Sequence, residues 1–417
     1  MNKEYENLLR NELITALGCT EPGAVGYAAA KAYETLGMFP NHLDMYCSAN
    51  IIKNVKSVNV PNSNGMKGIE AAAVLGLLSG DSQNSLEIFK TATEDKISKT
   101  RTLLDQDFCS VHLAEDEANL YIRAIATTED HIAEVIIKDT HTNIIYIKRD
   151  NAVIFEKETA IQNDNIDTSF MTISGIIDFA DNANIDTLKE IMSPQVHYNY
   201  AIAHEGLHND YGANVGRIIL QSGGSDVKNR AKAKAAAGSD ARMSGSSLPV
   251  VINSGSGNQG ITLTVPVVEY AQEYSVSEDK LYRSMAISNL VSIHIKKNIG
   301  KLSAFCGAVS AACGAGAAIS YMIGLNRKAI EDTITSTLAN VGGIFCDGAK
   351  ASCAAKIASS VDAALLAHEL AKCGEAFLPG DGIVTDNIED TIKNFGIVGH
   401  DGMKETDIQI MKLMINC

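Results

Sequence analysis

Four of the nine cysteines in this chain fall in one stretch rich in small residues, between positions 306 and 353. They are Cys306, Cys313, Cys346 and Cys353. Thiolates select soft metals such as zinc, copper(I) or iron–sulfur clusters, and a four-iron cluster on three cysteines leaves one iron open to a substrate. Because the stretch holds no Cys-x-x-Cys pair, the alternative is that these cysteines are small buried side chains in tightly packed helices.

A fifth cysteine, Cys19, lies in the segment GCTEP at 18–22. Apolar residues at helical spacing predict a helix over 3–17 that ends at Gly18, and Pro22 suits the first turn of a second helix. A thiol at a helix N-terminus has a lowered pKa because the macrodipole favours the thiolate. Cys19 is therefore a candidate metal ligand or base; the alternative is a buried cysteine at a corner between helices.

Two glycine-rich segments share a pattern, PNSNGMKGI at 61–69 and NSGSGNQGI at 253–261. Each follows a strand-like run, at 51–60 and 248–253, and opens an apolar helix, which is typical of an anion-binding nest. We expect the two loops to face each other across one pocket for a carboxylate or a phosphate. The candidate substrate-binding residues are Asn62, Ser63, Asn64, Gly65, Ser254, Gly255, Ser256, Gly257, Asn258 and Gln259. Arg242 is a candidate counter-charge, or alternatively a surface arginine.

Residues 104–158 alternate between apolar and polar residues in four strand-like runs, which predicts an antiparallel sheet. Its histidines, His112, His131 and His141, are interpreted as solvated strand or turn residues. The predicted fold class is α+β, a mostly α-helical catalytic body with a small antiparallel β-rich insert. The predicted divisions are an N-terminal helical part at 1–103, the insert at 104–163 and a helical catalytic domain at 164–417.

The composition limits the classes of partner. The chain has 417 residues, a net charge of -15 and 46% hydrophobic residues, so its large core is that of a globular protein and its charge disfavours nucleic acid and anionic membranes. Neither a signal peptide nor a membrane span is evident, which predicts a cytoplasmic protein with free, catalytic or metal-bound thiols. The abundance of Ala and Gly in the helices predicts a homodimer.

From about Ser239 to Ala364 the chain resembles the catalytic domain of the iron–sulfur L-serine dehydratases. With GCTEP at 18–22, PNSNG at 61–65 and GSGNQG at 255–260, it is more similar still to the L-cysteine desulfidases of the same superfamily. This resemblance implies a [4Fe–4S] cluster. The implied ligands are Cys306 in AFCGA, Cys346 in GIFCDG and Cys353 in ASCAAK.

The resemblance also implies roles for other residues. Cys19 corresponds to a base or reversible fourth ligand, the polar loops correspond to sites for a substrate carboxylate, and Cys313 is a neighbouring cysteine that is not a ligand. The dehydratases carry PTNG where this chain has SGSGNQG, and they have no GCTEP segment. A terminal cysteine folds back onto the open iron in some of them, so Cys417 is either an inhibitory tail or a stray thiol.

The expected activity is an α,β-elimination from a small-molecule amino acid. With L-cysteine, Cys19 would remove the α-proton and the loss of sulfide would give aminoacrylate, which hydrolyses to pyruvate and ammonia. Two alternatives stay open at this point. One is an iron–sulfur L-serine dehydratase, and the other is an iron–sulfur amino-acid sensor without catalytic activity.

Overall fold

The computed structural model describes residues 2–115, 117, 120–157, 168–300 and 303–415. The helices are α1 (Asn2–Glu12), α2 (Thr20–Leu36), α3 (Ala49–Val55), α4 (Gly68–Ser79), α5 (Glu94–Leu104), α6 (Ile173–Asn182), α7 (Ile185–His208), α8 (Val215–Gly223), α9 (Val227–Met243), α10 (Gly257–Glu273), α11 (Glu278–Ile299), α12 (Gly307–Met322), α13 (Arg327–Val341), α14 (Cys353–Lys372), α15 (Ile388–Ile397) and α16 (Lys404–Ile415). The strands are β1 (Thr15–Leu17), β2 (His42–Cys47), β3 (Cys109–Leu113), β4 (Tyr121–Thr127), β5 (Ile132–Lys138), β6 (Ile144–Arg149), β7 (Ala152–Glu156) and β8 (Pro249–Val251). This confirms the α+β class with a mostly helical body.

Helix α12 forms the centre of the helical body. Its residues from Ala308 to Met322 are all buried, as expected for a helix that is apolar all round. It packs against α10, α11, α13 and α14, and its many Ala and Gly residues let those helices approach closely. The N-terminus of α12, directly after Cys306, is therefore held in the interior of the protein.

A second core lies between the sheet and α2. The six-stranded sheet has the order β3-β2-β4-β5-β6-β7, and α2 covers it at β4, β5 and β6. Helix α4 crosses α2 at two glycines, because a Cβ on Gly76 would lie 2.3 Å from Gly26 Cα. No larger side chain fits such a crossing.

The sheet differs from the predicted insert in two ways. Five strands, not four, lie between 104 and 158, and the sheet also includes β2 from the N-terminal part of the chain. β2 pairs in parallel with β3, whereas the other pairs are antiparallel. The division of the chain at 103 and 163 stays a prediction.

Two further local predictions are wrong. The run 51–60, read as a strand, begins as helix α3, because Ile51 and Val55 are four residues apart and fit a helical face as well as a strand. Helix α1 ends at Glu12 and not at Gly18. The residues after it form β1, which pairs antiparallel with β8 over three residue pairs.

Within the described part of the chain, no helix is long and apolar enough to cross a membrane.

Candidate functional site

The pairing of β1 with β8 brings the GCTEP segment to the loop that follows β8. Cys19 is the N-cap residue of α2 and is 2% exposed. Its Sγ donates a hydrogen bond to Glu21 Oε2 at 2.9 Å, and Asn54 Nδ2 donates to Glu21 Oε1 at 3.1 Å. The hydroxyl of Thr20 lies 3.0 Å from both Glu21 Oε2 and the carbonyl oxygen of Gly255. A buried carboxylate thus organises the residues around Cys19.

The predicted position of Cys19 at the start of a helix is confirmed. The predicted lowering of its pKa is wrong. Burial raises the pKa of the Cys19 thiol well above its ordinary value, the charge of Glu21 raises it further, and Arg242 only partly opposes them. Burial also acts to raise the pKa of Glu21, but the charge on His141 and the hydrogen bond from Cys19 lower it on balance. The proton therefore rests on sulfur and the charge on the carboxylate, because desolvation and Glu21 outweigh the helix dipole.

Arg242 is a buried residue, 3% exposed, and not a surface arginine. Its Nε donates to the carbonyl oxygen of Gly18 at 2.9 Å. Its guanidinium packs on Gly257, where a Cβ would lie 2.4 Å from Nε. The charge of Arg242 also acts on Glu21 and Cys353. Arg242 is therefore the cation between the GCTEP segment, the second loop and the thiols.

The second loop reaches the site through several of its residues. Ser254 donates its hydroxyl hydrogen to Asn253 Oδ1 at 3.0 Å, and Ser256 is the N-cap of α10. Gln259 is 4% exposed and lies against Gly307, the residue after Cys306. Among the described residues, no partner is found for the buried oxygens Asn258 Oδ1 and Gln259 Oε1. Buried polar groups without a hydrogen-bond partner are consistent with a binding site in which a polar ligand supplies the missing partner.

The polar side chains of the first loop bond to its own backbone and to the neighbouring segment at 89–94. Asn62 Nδ2 donates to the carbonyl oxygen of Phe89 at 3.1 Å, and the hydroxyl of Ser63 donates to that of Val60 at 2.7 Å. Asn64 donates to the carboxylate of Glu94 at 3.0 and 3.1 Å. The turn at Gly65 has a φ of 84°. A substrate role for Asn62, Ser63, Asn64 and Gly65 stays a prediction.

The three cysteines of the resemblance lie near one another. Phe305 and Phe345 form an antiparallel bridge, and the Cys306 N–H donates to Ile344 O at 3.0 Å, so Cys306 and Cys346 are side by side. Cys353 opens α14 and packs against a small cluster that contains Cys19.

Electrostatics also link these thiols. Burial is the main cause that raises the pKa of Cys306 to about 12, and the neighbouring Cys346 is the second. The same two causes raise the pKa of Cys353. Burial lowers the pKa of Lys296 to about 8, although Cys346 and Cys306 act to raise it. Metal binding would make such thiols anionic and so give Lys296 a nearby counter-charge.

The family model described as serine dehydratase alpha chain matches residues 83–412. The chain belongs to this family. A UPF0597 protein of Lachnoclostridium phytofermentans is 49% identical over 417 residues, covering all of both chains. UPF0597 protein DSY1109 of Desulfitobacterium hafniense is 48% identical over 415 residues, 99% of this chain and 96% of its own. A UPF0597 protein of Finegoldia magna is 46% identical over 417 residues, 99% of each chain.

The serine dehydratase family match gives a coarse function, a lyase-type role. It leaves the substrate and the cofactor undetermined, and in the described residues no group of three His, Cys, Asp or Glu side chains is placed to hold a metal ion. A four-iron cluster has a different requirement, because each thiolate binds a separate iron. The donor set fits such a group: three neighbouring thiols, two of them at the N-termini of α12 and α14, and the buried Lys296, whose pKa Cys346 and Cys306 act to raise.

Sequence reasoning missed several residues of the site. Glu21 and Thr20 are part of the GCTEP motif itself, but only the cysteine was singled out. Asn54 was hidden by the wrong strand prediction. His141 is 8% exposed, not solvated, and its ring lies against Gly255. The hairpin between β5 and β6 carries His141 into the site, so the sheet contributes a residue to it.

Two other cysteines have different positions. Cys313 is fully buried inside α12, and its exclusion from the ligands stays a prediction. Cys417 lies outside the described residues. The helix that precedes it, α16, is attached to α3 by the ion pair between Asp407 and Lys53.

Proposed function

We propose that the protein catalyses α,β-elimination from L-cysteine, giving sulfide, ammonia and pyruvate, with a [4Fe–4S] cluster held by Cys306, Cys346 and Cys353. One observation carries this proposal. The thiol of Cys19 donates to an ionised buried carboxylate, and Cys353 packs against the small cluster that contains Cys19. A proton-handling pair and a soft-metal donor set therefore lie in the same region of the protein, as an elimination of a thiol group requires.

The cluster, when bound, would supply a Lewis-acidic iron for the departing sulfur. The chain's own residues would hold the rest of the amino acid. Arg242 is placed to neutralise a carboxylate, and the bare oxygens of Asn258 and Gln259 are suited to accept hydrogen bonds from an ammonium group. Burial of these groups strengthens each contact, because the site excludes water.

The proton steps follow from the pair Cys19 and Glu21. Cys19 passes its thiol proton to Glu21 as its sulfur takes the α-proton, so Cys19 does not have to be a free thiolate at rest. The electrons of the Cα–H bond form the Cα=Cβ bond, and the Cβ–S bond breaks with its electron pair on sulfur. Protonated Glu21 returns its proton to solvent after sulfide leaves, and aminoacrylate hydrolyses to pyruvate and ammonia.

L-serine is the second candidate substrate, since the description of the matching family model names a serine dehydratase. Hydroxide is a poorer leaving group than sulfide and needs a proton donor at Cβ. Cys19 and its partner Glu21 are both used in the proposed scheme for the α-proton. That arrangement favours cysteine, because its sulfur leaves as hydrosulfide and needs no proton donor.

The test is anaerobic reconstitution with iron and sulfide, followed by parallel assays of L-cysteine and L-serine for pyruvate and sulfide. We expect a cluster absorption band and sulfide release, both lost in Cys346→Ala. Cys313→Ala is the matched control, because it removes a buried thiol of the same stretch outside the donor set. Turnover of serine alone would assign the protein to the dehydratases. Ligand binding without pyruvate would favour a sensor.

A further inference from the structure

The segment 346–353, which carries two of the candidate cluster cysteines, lies against the residues that organise Cys19. A Cβ on Gly348 would lie 3.0 Å from Asn54 Oδ1, and Asn54 is the residue whose amide bonds to the buried carboxylate beside Cys19. Ala349 packs against the small cluster that contains Cys19. The segment therefore contributes to the candidate site through residues other than its cysteines.

Lys350 is the next residue of this segment, and its backbone is held at the start of α14. Its N–H donates to Cys353 Sγ at 3.4 Å, and the N–H of Cys353 donates to the carbonyl oxygen of Lys350 at 3.0 Å. The side chain ends in a buried ammonium nitrogen that has no hydrogen-bond partner among the described residues. A buried ammonium without a partner is costly, so this position favours a group that brings a negative charge to it.

The carboxylates in this part of the protein are engaged by other groups. Glu21 accepts hydrogen bonds from two neighbours in the GCTEP segment and from α3. Asp347 pairs with Lys356 at 2.5 Å. Asp240 of α9 accepts from a backbone N–H at the start of α8 at 3.3 Å. In the ranges that the structure describes, none of these carboxylates forms an ion pair with Lys350.

The substrate of the proposed reaction carries a suitable charge in its α-carboxylate. Arg242 is the other buried cation of the site, but its Nε already donates to the carbonyl oxygen of Gly18. A carboxylate has two oxygens that accept from several donors, so it can use both cations. Resting on the proposed function, we propose that Lys350 binds the α-carboxylate of the amino-acid substrate together with Arg242, and thereby selects substrates with a free carboxylate.

This contact contributes to binding rather than to the chemical step, because the carboxylate is negative in the substrate and in pyruvate alike. Lys350→Met removes the charge and nearly keeps the length of the side chain. A hydrogen bond between charged groups is strong enough that we expect its loss to weaken the binding of L-alanine by about 10-fold to 100-fold. The KM for L-cysteine should rise by a similar factor, with a smaller change in kcat.

The experiment is a calorimetric titration of wild type, Lys350→Met and Lys328→Met with L-alanine and with L-alaninamide, after the same anaerobic reconstitution. L-alanine has no leaving group at Cβ, so its binding is measured without turnover, and L-alaninamide lacks the negative charge. Lys328→Met is the matched control, because it removes the same charge from an exposed lysine of α13 that pairs with Asp332. Wild type and Lys328→Met should prefer L-alanine, and Lys350→Met should lose this preference.

Thermal unfolding without ligand separates a role in binding from a role in folding. Lys350→Met removes an unpaired buried ammonium, so its unfolding midpoint should be no lower than that of wild type. A lower midpoint, or an equal loss of binding for L-alanine and L-alaninamide, would mean that Lys350 serves the fold and would overturn the proposal. A wild type without a preference for L-alanine, or a Lys350→Met protein that keeps the preference, would also overturn it.

Failure of the proposed reaction gives a different result. A protein whose preference for L-alanine depends on Lys350, but which releases no sulfide from L-cysteine, would refute the elimination and leave the carboxylate contact supported. A protein that releases sulfide and keeps the preference in Lys350→Met would refute the role of Lys350 alone.

Discussion

The loops at 61–65 and 254–259 share a sequence pattern but differ in what packs against them. Both contain residues with positive φ, and an antiparallel bridge closes each, Asn59 with Lys67 and Asn253 with Ser256. The polar side chains of the first loop bind its own backbone, the carbonyl oxygen of buried Phe89 and the exposed Glu94. The second loop meets Thr20, Arg242 and the N-terminus of α12.

The difference shows that a glycine-rich polar loop is not a site by itself. Glycine at 65 serves the turn, whereas glycine at 257 makes room for a buried guanidinium. Glycine is thus needed for the backbone conformation of the turn in the first loop and for tertiary packing in the second. Substitutions at matched positions separate the two.

The largest effect is expected for Gly257→Ala. The new Cβ would lie 2.4 Å from Arg242 Nε and 2.7 Å from Val250 Cγ2. Because both neighbours are buried, the arginine must leave its position beside Gly18, and we expect kcat/KM for sulfide release to fall by about 100-fold or more. Steady-state kinetics measure this change.

Gly65→Ala is the matched control. A Cβ there meets nothing within 4 Å, but the φ of 84° disfavours any side chain, so unfolding should become easier by about 1–2 kcal/mol. Catalysis should stay within about two-fold of wild type. A loss of activity in Gly65→Ala as large as in Gly257→Ala would show that the two loops are functionally equivalent, against the contrast drawn between them.

A smaller effect is expected for Gln259→Leu, which removes the buried oxygen without a partner. If that oxygen receives the substrate ammonium group, KM should rise by about 10-fold, or about 1.4 kcal/mol, with less change in kcat. Asn64→Ala in the first loop breaks only contacts to exposed Glu94. Asn64→Ala should change KM by less than two-fold. Equal effects of Gln259→Leu and Asn64→Ala on KM would contradict the proposed difference between the two loops.

The smallest effect is a shift in the pH profile caused by His141→Gln. The charge on His141 lowers the pKa of Glu21 against the opposing effect of burial. The ionised, active carboxylate therefore persists to lower pH in wild type, and removal of this charge should move the acid limb of kcat/KM toward higher pH. Replacement of half-buried His131, which bonds to Asp150, by Gln should leave the limb in place. An unmoved limb in His141→Gln would mean that Glu21 does not carry the proton.

The sequence indicates which cysteines lie near one another better than it indicates the protonation state of Cys19. Cys306, Cys346 and Cys353 stand in recognisable motifs, and the structure brings them together. The state of Cys19 could not be predicted, because it depends on Glu21, Asn54 and desolvation rather than on the local helix start. The placement of His141 depends on how a hairpin docks on a distant loop, which no local pattern contains.

The fold shows the same limit. Long apolar helices such as α12 are evident from composition, and so is the alternation of the sheet. Strand β2 could not be assigned to that sheet, because its pairing with β3 and β4 crosses a predicted boundary. The run at 51–60 fits the apolar spacing of a strand and that of a helix, and only tertiary packing selects the helix.

The pairing of β1 with β8 also limits when the site can form. Thr20 and Gly255, which meet there, are 235 residues apart in the chain. Contacts between such distant segments form only after the cost of closing the intervening chain has been met. A nascent chain that has not yet reached Gly255 therefore exposes β1 without its partner. The site around Cys19 can form only when synthesis has passed more than half of the protein.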